Sequence, residues 1–263
     1  QIKAIGKKIK ARPEVEKIKP LFFLGEFDEL ENPDYGKVFD ASYSWSWMHK
    51  TEDFYKKKLP LTELTDLLAK YSAIGGNSMR AWFTSNHDEN SWNGTEYEKY
   101  GEMAKPLAVF SATWDGVPLM YSGQELPLLN KRLEFFEKDP IPWNGSYKLE
   151  EFYRKLYELK SKNPALRGGD TNSITKILQT NAPDKVLAYL RKNGEDEVLV
   201  ILNLSDTQHL KLQILDEAVQ GKYKSLFSGL TTNFDTKPTI EMYKWEHLVF
   251  EKYRFVRCQN MNK

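Results

Sequence analysis

The pattern of apolar and polar positions changes character along the chain. Up to about residue 168, short apolar runs alternate with longer amphipathic segments. Residues 21–24 are apolar on both alternating faces, as in a parallel strand that is covered on both sides. Segments with helical spacing follow the runs, and Thr95 with the acidic residues after it predicts a helix N-terminus. The predicted strands are 21–27, 37–45, 79–85 and 116–122. The predicted helices are 1–19, 51–74 with an interruption at Pro60, 94–114, and one from 147 that ends before Pro164.

This alternation of strand and helix is typical of a parallel sheet with helical crossovers. After Gly168-Gly169 the runs become short, β-rich and separated by turns such as Lys192-Asn193-Gly194, which predicts an antiparallel module. We therefore predict an α/β domain over residues 1–168 and an all-β domain over residues 169–263. The predicted strands of the second domain are 173–180, 185–192, 197–205, 208–215, 222–227 and 247–253.

Composition and charge exclude several kinds of protein. The net charge of +1 gives no electrostatic reason to expect nucleic acid as a partner. Cys258 is the only cysteine, so no internal disulfide forms, and no Cys/His spacing indicates zinc. No segment is long and apolar enough to cross a membrane. The charged first residues lack an apolar signal core and do not begin with Met, as in a fragment or processed product, and no cellular location can be read.

Polar side chains stand where three predicted strands end. Glu26 closes the first of these strands, His87 and Asp88 follow the third, and Gln124 and Glu125 follow the fourth. In parallel α/β folds, the reactive groups lie on the loops after the carboxyl ends of the strands. Adjacent residues such as His87 and Asp88 can face one site only if the chain has already left the strand.

Carboxylates on two strand ends fit the chemistry of glycosidic bond cleavage. One carboxyl group protonates the leaving oxygen, and others attack the sugar or stabilise an oxocarbenium-like state. Flat apolar rings on which sugars stack would come from Trp45, Trp47, Trp82 and Trp92. The residues alone leave alternatives open: solvated loop carboxylates, a hydrogen-bonded structural histidine and tryptophans of the core.

Four motifs, in order, resemble the α-amylase superfamily, glycoside hydrolase family thirteen. They are "LFFLGEF", "FTSNHDENSWNGTEYEKYG", "GVPLMYSGQELPL" and "RLEFFEKDPIPW", and the similarity extends over nearly all of residues 20–168. The resemblance implies the second half of a TIM (β/α)₈ barrel, strands five to eight, followed by the family's C-terminal β-sandwich. It implies that residues 1–168 are a partial catalytic barrel and residues 169–263 the sandwich.

The resemblance also implies roles for individual residues. Glu26 matches the general acid/base, and Asp88 matches the second acid, which binds the sugar and stabilises the transition state. His87 matches the sugar-binding neighbour of that acid, and Trp92 is a candidate for substrate binding. The implied activity is retaining hydrolysis of an α-linked oligo- or polysaccharide such as starch or maltodextrin. No cofactor is implied, and no metal is assigned, because the family's calcium ligands lie mainly in its first half.

One feature of the family has no counterpart in this sequence. The nucleophilic aspartate of the family lies on the strand before the glutamate strand, in a Gly-Phe-Arg-x-Asp-like stretch, and only a lysine-rich segment precedes Pro20 here. The 263-residue chain alone is therefore expected to be inactive, although the complete protein is expected to be an enzyme. The alternatives are an α-glucan transglycosylase and a non-catalytic amylase-like protein that binds sugar or acts as a scaffold.

Two further expectations concern the surfaces of the chain. Half a barrel has two open parallel edges, the strands at 21–27 and 116–122, and such edges seek a partner. A homodimer through the open half-barrel is therefore expected for the chain as it stands. In the second domain, Trp245 is the only tryptophan, and a structural role is expected ahead of surface sugar binding.

Overall fold

The structure, a computed structural model, describes residues 8, 11, 22–74, 78–126, 131–143 and 147–253. Of the helix predicted over residues 1–19, only residues 8 and 11 are among the described residues, so this prediction lies outside them. The first part of the described chain contains four parallel strands that pair in chain order, as the alternating pattern predicts. All four are shorter than predicted. They are β1 Leu24–Gly25, β2 Ala41–Tyr43, β3 Met79–Trp82 and β4 Val117–Pro118.

Helices connect these strands and cover one face of the sheet. They are α1 Trp45–Tyr55, α2 Leu61–Ala73, α3 Glu96–Tyr100, α4 Ala104–Thr113 and α5 Glu150–Lys162. The prediction of one helix over 94–114 is wrong in its middle, where a 3₁₀ turn separates α3 from α4. Gly101 causes the break because its φ is +51°, and a Cβ there would lie 2.3 Å from the hydroxyl oxygen of Tyr55.

The predicted N-terminus of α3 is confirmed by a complete capping box. The Thr95 hydroxyl accepts a 3.2 Å hydrogen bond from the backbone N–H of Glu98. The Glu98 carboxylate in turn accepts a 2.7 Å hydrogen bond from the backbone N–H of Thr95. These two bonds set where the chain stops being a loop and becomes a helix, only a few residues after Asp88.

The two faces of the parallel sheet carry different clusters. Ala81 and Phe83 pack with Tyr43 on one face, whereas Trp82 points to the helices on the other. Trp47 and Trp82 are each 1% exposed, and their rings lie 5.8 Å apart. The expectation that these two tryptophans offer surfaces to sugar is therefore wrong. They belong to the core, and the Trp82 indole N–H donates to the Asp115 carbonyl oxygen at 2.6 Å.

The second part of the described chain is an antiparallel all-β module. Its strands are β5 Ile174–Ile177, β6 Val186–Asn193, β7 Asp196–Asn203, β8 Leu210–Leu212, β9 Lys222–Ser225, β10 Thr231–Asn233, β11 Ile240–Met242 and β12 His247–Lys252. A six-stranded sheet has the order β10-β9-β12-β7-β6-β5, and β8 pairs with β11 beside it. The three-residue strands β10 and β11 escape sequence-based prediction because they are too short to show alternation.

The central strands β6 and β7 are buried on both faces. Leu187 and Tyr189 face the helices of the first part, whereas Ala188 and Leu190 face the layer that contains β8 and β11. The Tyr189 hydroxyl lies 2.6 Å from that of Thr113, at the end of α4. The two parts thus share one continuous core. The domain boundary near residue 168 remains a proposal, set where the last helical turn gives way to β5.

Lys160 of α5 is half-buried where the two parts meet, and it predicts a pH dependence of stability. Its ammonium group donates to the Gly116 carbonyl oxygen at 2.9 Å. Burial lowers the pKa of Lys160 from 10.5 to about 7, assisted by the positive charge of Arg191 and opposed by Asp115. Between these two pH values the unfolded state binds more protons, so stability rises as the pH rises.

We expect Lys160→Met to remove this dependence. The variant should exceed the wild type in free energy of unfolding, and this difference should be largest near pH 7. It should fall by about 3–4 kcal/mol by pH 10, as measured by urea denaturation. Lys162→Met, on the exposed end of the same helix, is the matched control and should show no such trend. Parallel pH profiles for wild type and Lys160→Met would show that this lysine is not the cause.

Candidate active site

Glu26 lies immediately after β1, in a loop that hydrogen bonds hold against α1 and α2. Gly25 is required at the end of the strand, because a Cβ there would lie 2.1 Å from the ring of Phe27. The buried carboxylate of Asp28 accepts hydrogen bonds from the backbone N–H of Ser46 at 2.7 Å and from the Tyr71 hydroxyl. The loop is thereby tied to α1 and α2, and the Glu26 side chain is left exposed.

His87 and Asp88 follow β3 after the chain has left the strand. The side chain of Asn86 accepts a 2.8 Å hydrogen bond from the backbone N–H of Glu89, which closes a turn around the pair. A π-helical turn, Glu89–Asn93, comes next. Such turns are frequent at functional sites because they re-aim side chains. Since β3 ends at Trp82, the adjacent His87 and Asp88 are free of the strand alternation that would send them to opposite faces.

The structure brings together the three polar residues selected from the sequence. One side-chain oxygen or nitrogen atom from each of Glu26, His87 and Asp88 lies within 4.8 Å of the other two. The Nε2 atom of His87 lies 3.7 Å from an Asp88 carboxylate oxygen. The three come from the ends of β1 and β3, which are separated in the sheet by β2. We call this group the carboxylate–histidine cluster; its catalytic roles remain a prediction.

Tyr43 is a neighbour of this cluster that sequence reasoning missed. It is the last residue of β2, the strand between β1 and β3, and it is 7% exposed. Burial raises the pKa of its phenol, and the negative charges of Glu26 and Asp88 raise it further. The phenol therefore stays protonated and can donate a hydrogen bond beside the carboxylates. The strand order β1-β2-β3, had it been applied to the sequence, would have pointed to this residue.

Exposed aromatic rings lie beside the cluster and form what we call the aromatic platform: Trp92, Phe135 and Phe136. They are 55%, 40% and 82% exposed, and the ring of Trp92 lies 5.4 Å from that of Phe135. The Phe135 ring is stacked on the His87 imidazole at 6.0 Å. Trp92 is a candidate from the sequence, whereas the two phenylalanines are not, although both lie within the "RLEFFEKDPIPW" motif. Trp45, also a candidate, is half-buried against Tyr43.

The segment that carries the two phenylalanines is tied to the loop after Asp88. The side chain of Asn90 accepts a 2.9 Å hydrogen bond from the backbone N–H of Leu133. Arg132 forms a 3.0 Å ion pair with Glu98 of α3. The aromatic platform is therefore held in place by residues that follow the cluster directly in sequence.

A buried ion pair lies next to the cluster in the chain. Glu89, next to Asp88, contacts the ammonium group of Lys99, and both side chains are at most 5% exposed. The same ammonium group lies 2.9 Å from the sulfur of Met48 and 3.6 Å from a carboxylate oxygen of Glu52. Buried charges of this kind persist only when they are paired, so the position of Glu89 is tied to that of Lys99.

The described residues were searched for metal ligands and for helices that could span a membrane. Glu26, His87 and Asp88 are the one described set of three or more His, Cys, Asp or Glu side chains close enough to share an ion. The same atoms suit hydrogen bonds to sugar hydroxyl groups equally well. Gln124 and Glu125 instead accept hydrogen bonds from the backbone of Tyr121 and Gly123 in their own loop, and the Gln124 amide donates to the Thr84 hydroxyl at 2.8 Å. Among the described helices, none has the length and apolar character needed to cross a bilayer.

The known proteins that this chain resembles in sequence and in structure include several α-amylases. A family model described as the α-amylase C-terminal all-β domain matches residues 177–247. The chain is 26% identical over 225 residues to α-amylase 2 of Dictyoglomus thermophilum, covering 79% of this chain and 37% of that protein. A maltogenic α-amylase from Thermotoga neapolitana superposes with a TM-score of 0.73 at 21% identity, over 94% of this chain and 58% of that one. An Anoxybacillus α-amylase does so with a TM-score of 0.75 at 19% identity, over 95% and 55%.

These similarities confirm the predicted fold, which is the second half of a (β/α)₈ barrel followed by an all-β domain. The chain spans a little over a third of the length of the Dictyoglomus relative. The matched all-β domain lies in the second part of the chain, whereas the four ordered motifs lie in the first. Two separate parts of the sequence thus agree: residues 177–247 match the α-amylase C-terminal all-β domain, and the chain is similar to α-amylases in sequence and in fold.

Proposed function

We propose that the whole protein is a retaining α-glucan hydrolase of the α-amylase type. The observation that carries this proposal is the carboxylate–histidine cluster, whose atoms converge within 4.8 Å at the carboxyl ends of β1 and β3. In a half-barrel that resembles α-amylases, this is the edge of the sheet where active sites form. The relatives are named as α-amylases, and that name supports α-glucans as the substrate class here.

The proposed roles follow from the chemistry of the side chains. Glu26 gives its proton to the glycosidic oxygen, so that the departing sugar leaves as an alcohol. The carboxyl group of Asp88 stabilises the positive charge that develops on the sugar ring. His87 donates a hydrogen bond to a hydroxyl group of the same ring, and the aromatic platform supports the neighbouring sugars. A carboxylate nucleophile bonds to the sugar as the glycosidic bond breaks, which forms the glycosyl-enzyme. Water then displaces this carboxylate from the sugar and gives its proton to Glu26.

The nucleophile that forms the glycosyl-enzyme has no candidate in the described cluster. No third carboxylate of the described residues shares the mutual 4.8 Å spacing of Glu26 and Asp88. The resemblance assigns this role to an aspartate on the strand before β1. We therefore propose that turnover belongs to the whole protein and not to the 263-residue chain by itself.

The test is hydrolysis of maltoheptaose by the whole protein, followed by NMR of the first product. A retaining α-glucan hydrolase releases a product that is initially in the α-configuration, whereas an inverting enzyme releases the β-anomer. Longer maltodextrins among the products would show transfer to sugar in place of water. Absence of cleavage of both maltoheptaose and soluble starch would contradict the proposal and favour a non-catalytic sugar-binding protein.

We further propose that the isolated chain self-associates through its half-barrel. Within the described part of the sheet, β1 and β4 are the edge strands, and Phe22 and Leu24 next to the first edge are exposed. Exposed apolar strand edges are templates for pairing with another copy. Light scattering of the 263-residue chain should show a mass that rises above the monomer's 30.7 kDa with concentration. A constant monomeric mass with cooperative unfolding would contradict this expectation.

A further inference from the structure

Gln124, one of the polar residues at the predicted strand ends, lies at the centre of a buried network outside the carboxylate–histidine cluster. Its amide oxygen accepts a 2.8 Å hydrogen bond from the backbone N–H of Tyr121. Its amide nitrogen donates to the Thr84 hydroxyl at 2.8 Å and to the carboxylate of Glu96, the first residue of α3. Gln124 therefore joins the loop after β4 to α3 and to the segment that precedes His87.

The orientation of the Gln124 amide is fixed by its neighbours. A backbone N–H can only donate a hydrogen bond, and an ionised carboxylate can only accept one. The Tyr121 N–H therefore requires the amide oxygen on its side, and the Glu96 carboxylate requires the NH₂ group on the other. Rotation of the amide by half a turn would place like groups against each other at both contacts. One hydrogen atom of the NH₂ group is thus committed to Glu96 and the other to Thr84.

The segment that Gln124 holds leads directly to the cluster. Thr84, Ser85 and Asn86 connect the end of β3 to His87, and all three are buried. Among the described residues, the Ser85 hydroxyl and the Asn86 amide nitrogen have no hydrogen-bond partner. The Asn86 side-chain oxygen bonds within the same turn, to the N–H of Glu89. The bond from Gln124 to Thr84 instead ties the segment to another element of the barrel, so its loss would allow the segment to shift.

Glu96 is a buried carboxyl group that depends on Gln124 as much as Gln124 depends on it. Burial raises the pKa of Glu96, and hydrogen bonds from its own backbone N–H and from the Gln124 amide oppose this. Lys131 lines the same small void but pairs with Asp139 at 2.6 Å. Buried polar groups are costly without partners, so the two side chains stabilise each other. The titratable side chains packed around them are Tyr97, Tyr100, Glu125, Lys131 and Tyr153.

We propose that Gln124 and Glu96 are positioning residues for the carboxylate–histidine cluster. Gln124 holds residues 84–88 in the place that presents His87 and Asp88 to the substrate. Glu96 holds the Gln124 amide in the orientation that this contact requires. Both residues act through the segment and not on the sugar. The reaction that they serve rests on the proposed function, whereas the position of His87 can be measured without any reaction.

The first variant is Gln124→Met in the whole protein. Methionine keeps the length of the side chain but bonds neither to Thr84 nor to Glu96. A shift of about 1 Å at reacting groups costs about 10²-fold in rate, so kcat on maltoheptaose should fall by about 10–10²-fold. Gln179→Met, at an exposed glutamine of the all-β domain, is the matched control and should stay within about twofold of the wild type. Wild-type kcat in a Gln124→Met protein that circular dichroism shows to be folded would overturn the proposal.

Gln124→Glu separates positioning from packing, because its effect should depend on pH. Two carboxyl groups in contact share one proton, since the pKa of one of them is strongly raised. Below that pKa, the protonated carboxyl group at position 124 donates to Glu96 and accepts from the Thr84 hydroxyl, so the network is kept. Above it, both groups are charged and repel each other. The kcat of the variant divided by that of the wild type should fall from about 1 near pH 5 to about 0.1 or less near pH 8. A ratio that does not change with pH would overturn the proposal.

A double variant exchanges the two groups of the network. Gln124→Glu combined with Glu96→Gln places the carboxylate at position 124 and the amide at position 96, so one donates to the other again. We expect kcat to return to within about threefold of the wild type, with the pH dependence of the ratio removed. A double variant that is as slow as Gln124→Glu near pH 8 would overturn the proposal.

The imidazole NMR signals of His87, assigned with His87→Ala, report on the cluster without turnover. At one fixed pH they should shift in Gln124→Met and return in the double variant. Signals that do not move in Gln124→Met would overturn the positioning role, even if the wild type cleaves maltoheptaose. A wild type that does not cleave maltoheptaose but whose His87 signals respond as expected would overturn the proposed function and support the positioning role.

Discussion

Glu26→Gln in the whole protein is expected to lower kcat on maltodextrins by about 10²–10⁴-fold, with little change in KM. The substitution keeps the size of the side chain and its capacity for hydrogen bonding but removes the proton that the leaving oxygen needs. Substrate binding should survive because the aromatic platform and the His87–Asp88 pair are unchanged. Steady-state release of reducing sugar from maltoheptaose measures both constants.

The matched control for this variant is Glu31→Gln. Glu31 is an exposed carboxylate in the same loop and lies outside the described cluster, so its loss should leave kcat within about twofold. If Glu26→Gln retained more than a tenth of wild-type activity, Glu26 would not be the proton donor. A large rise in KM with kcat unchanged would assign Glu26 to sugar binding alone.

Lys99→Met is expected to lower the free energy of unfolding by about 3–5 kcal/mol, the usual cost of removing one partner of a buried ion pair. The Lys99 side chain is 2% exposed and that of Glu89 is 5% exposed, so neither charge can turn to water when the other is removed. The loop of Asp88 should shift as well, because Glu89 is its neighbour. Urea denaturation measures the stability, and maltoheptaose titration of the whole protein measures the effect on the site.

A double variant separates loss of the pair from loss of packing. Glu89→Gln with Lys99→Met leaves no unpaired charge between these two positions and should recover part of the lost stability. Lys70→Met, at an exposed position in α2, is the control and should change the free energy of unfolding by less than about 0.5 kcal/mol. Equal losses in the single Lys99→Met variant and the double variant would show that the charge pair is not what holds this region.

The sequence was informative about the cluster because strand ends obey a general rule. The apolar run at 79–83 and its abrupt end predict a strand followed by a loop, and His87 and Asp88 fall in that loop. Parallel pairing of β1, β2 and β3 then brings the end of the first strand close to the end of the third. This step needs only the alternation of elements, so the meeting of Glu26 with Asp88 follows from the order of residues along the chain.

What the sequence did not reveal depends on contacts between distant segments. Trp47 and Trp82 look the same as Trp92 in the sequence, and only the packing of Tyr71 of α2 and Phe110 of α4 shows which rings are covered. Phe136 is exposed because its segment is held by a hydrogen bond to Asn90 and an ion pair to Glu98. No local sequence pattern predicts these two contacts. The left-handed φ of Trp245 is likewise set by Asn203 and Ser205, about 40 residues earlier in the chain.

The assignment of Glu26 as proton donor to an α-glucan is tested most directly by one distance. In a crystal of the whole Glu26→Gln protein soaked with maltoheptaose, that distance joins the side-chain amide of residue 26 to a glycosidic oxygen. We predict a hydrogen bond of about 2.6–3.2 Å, with the adjoining sugar ring held by His87 and Asp88. A maltoheptaose chain that occupies the protein but places no glycosidic oxygen within reach of residue 26 would contradict the assignment.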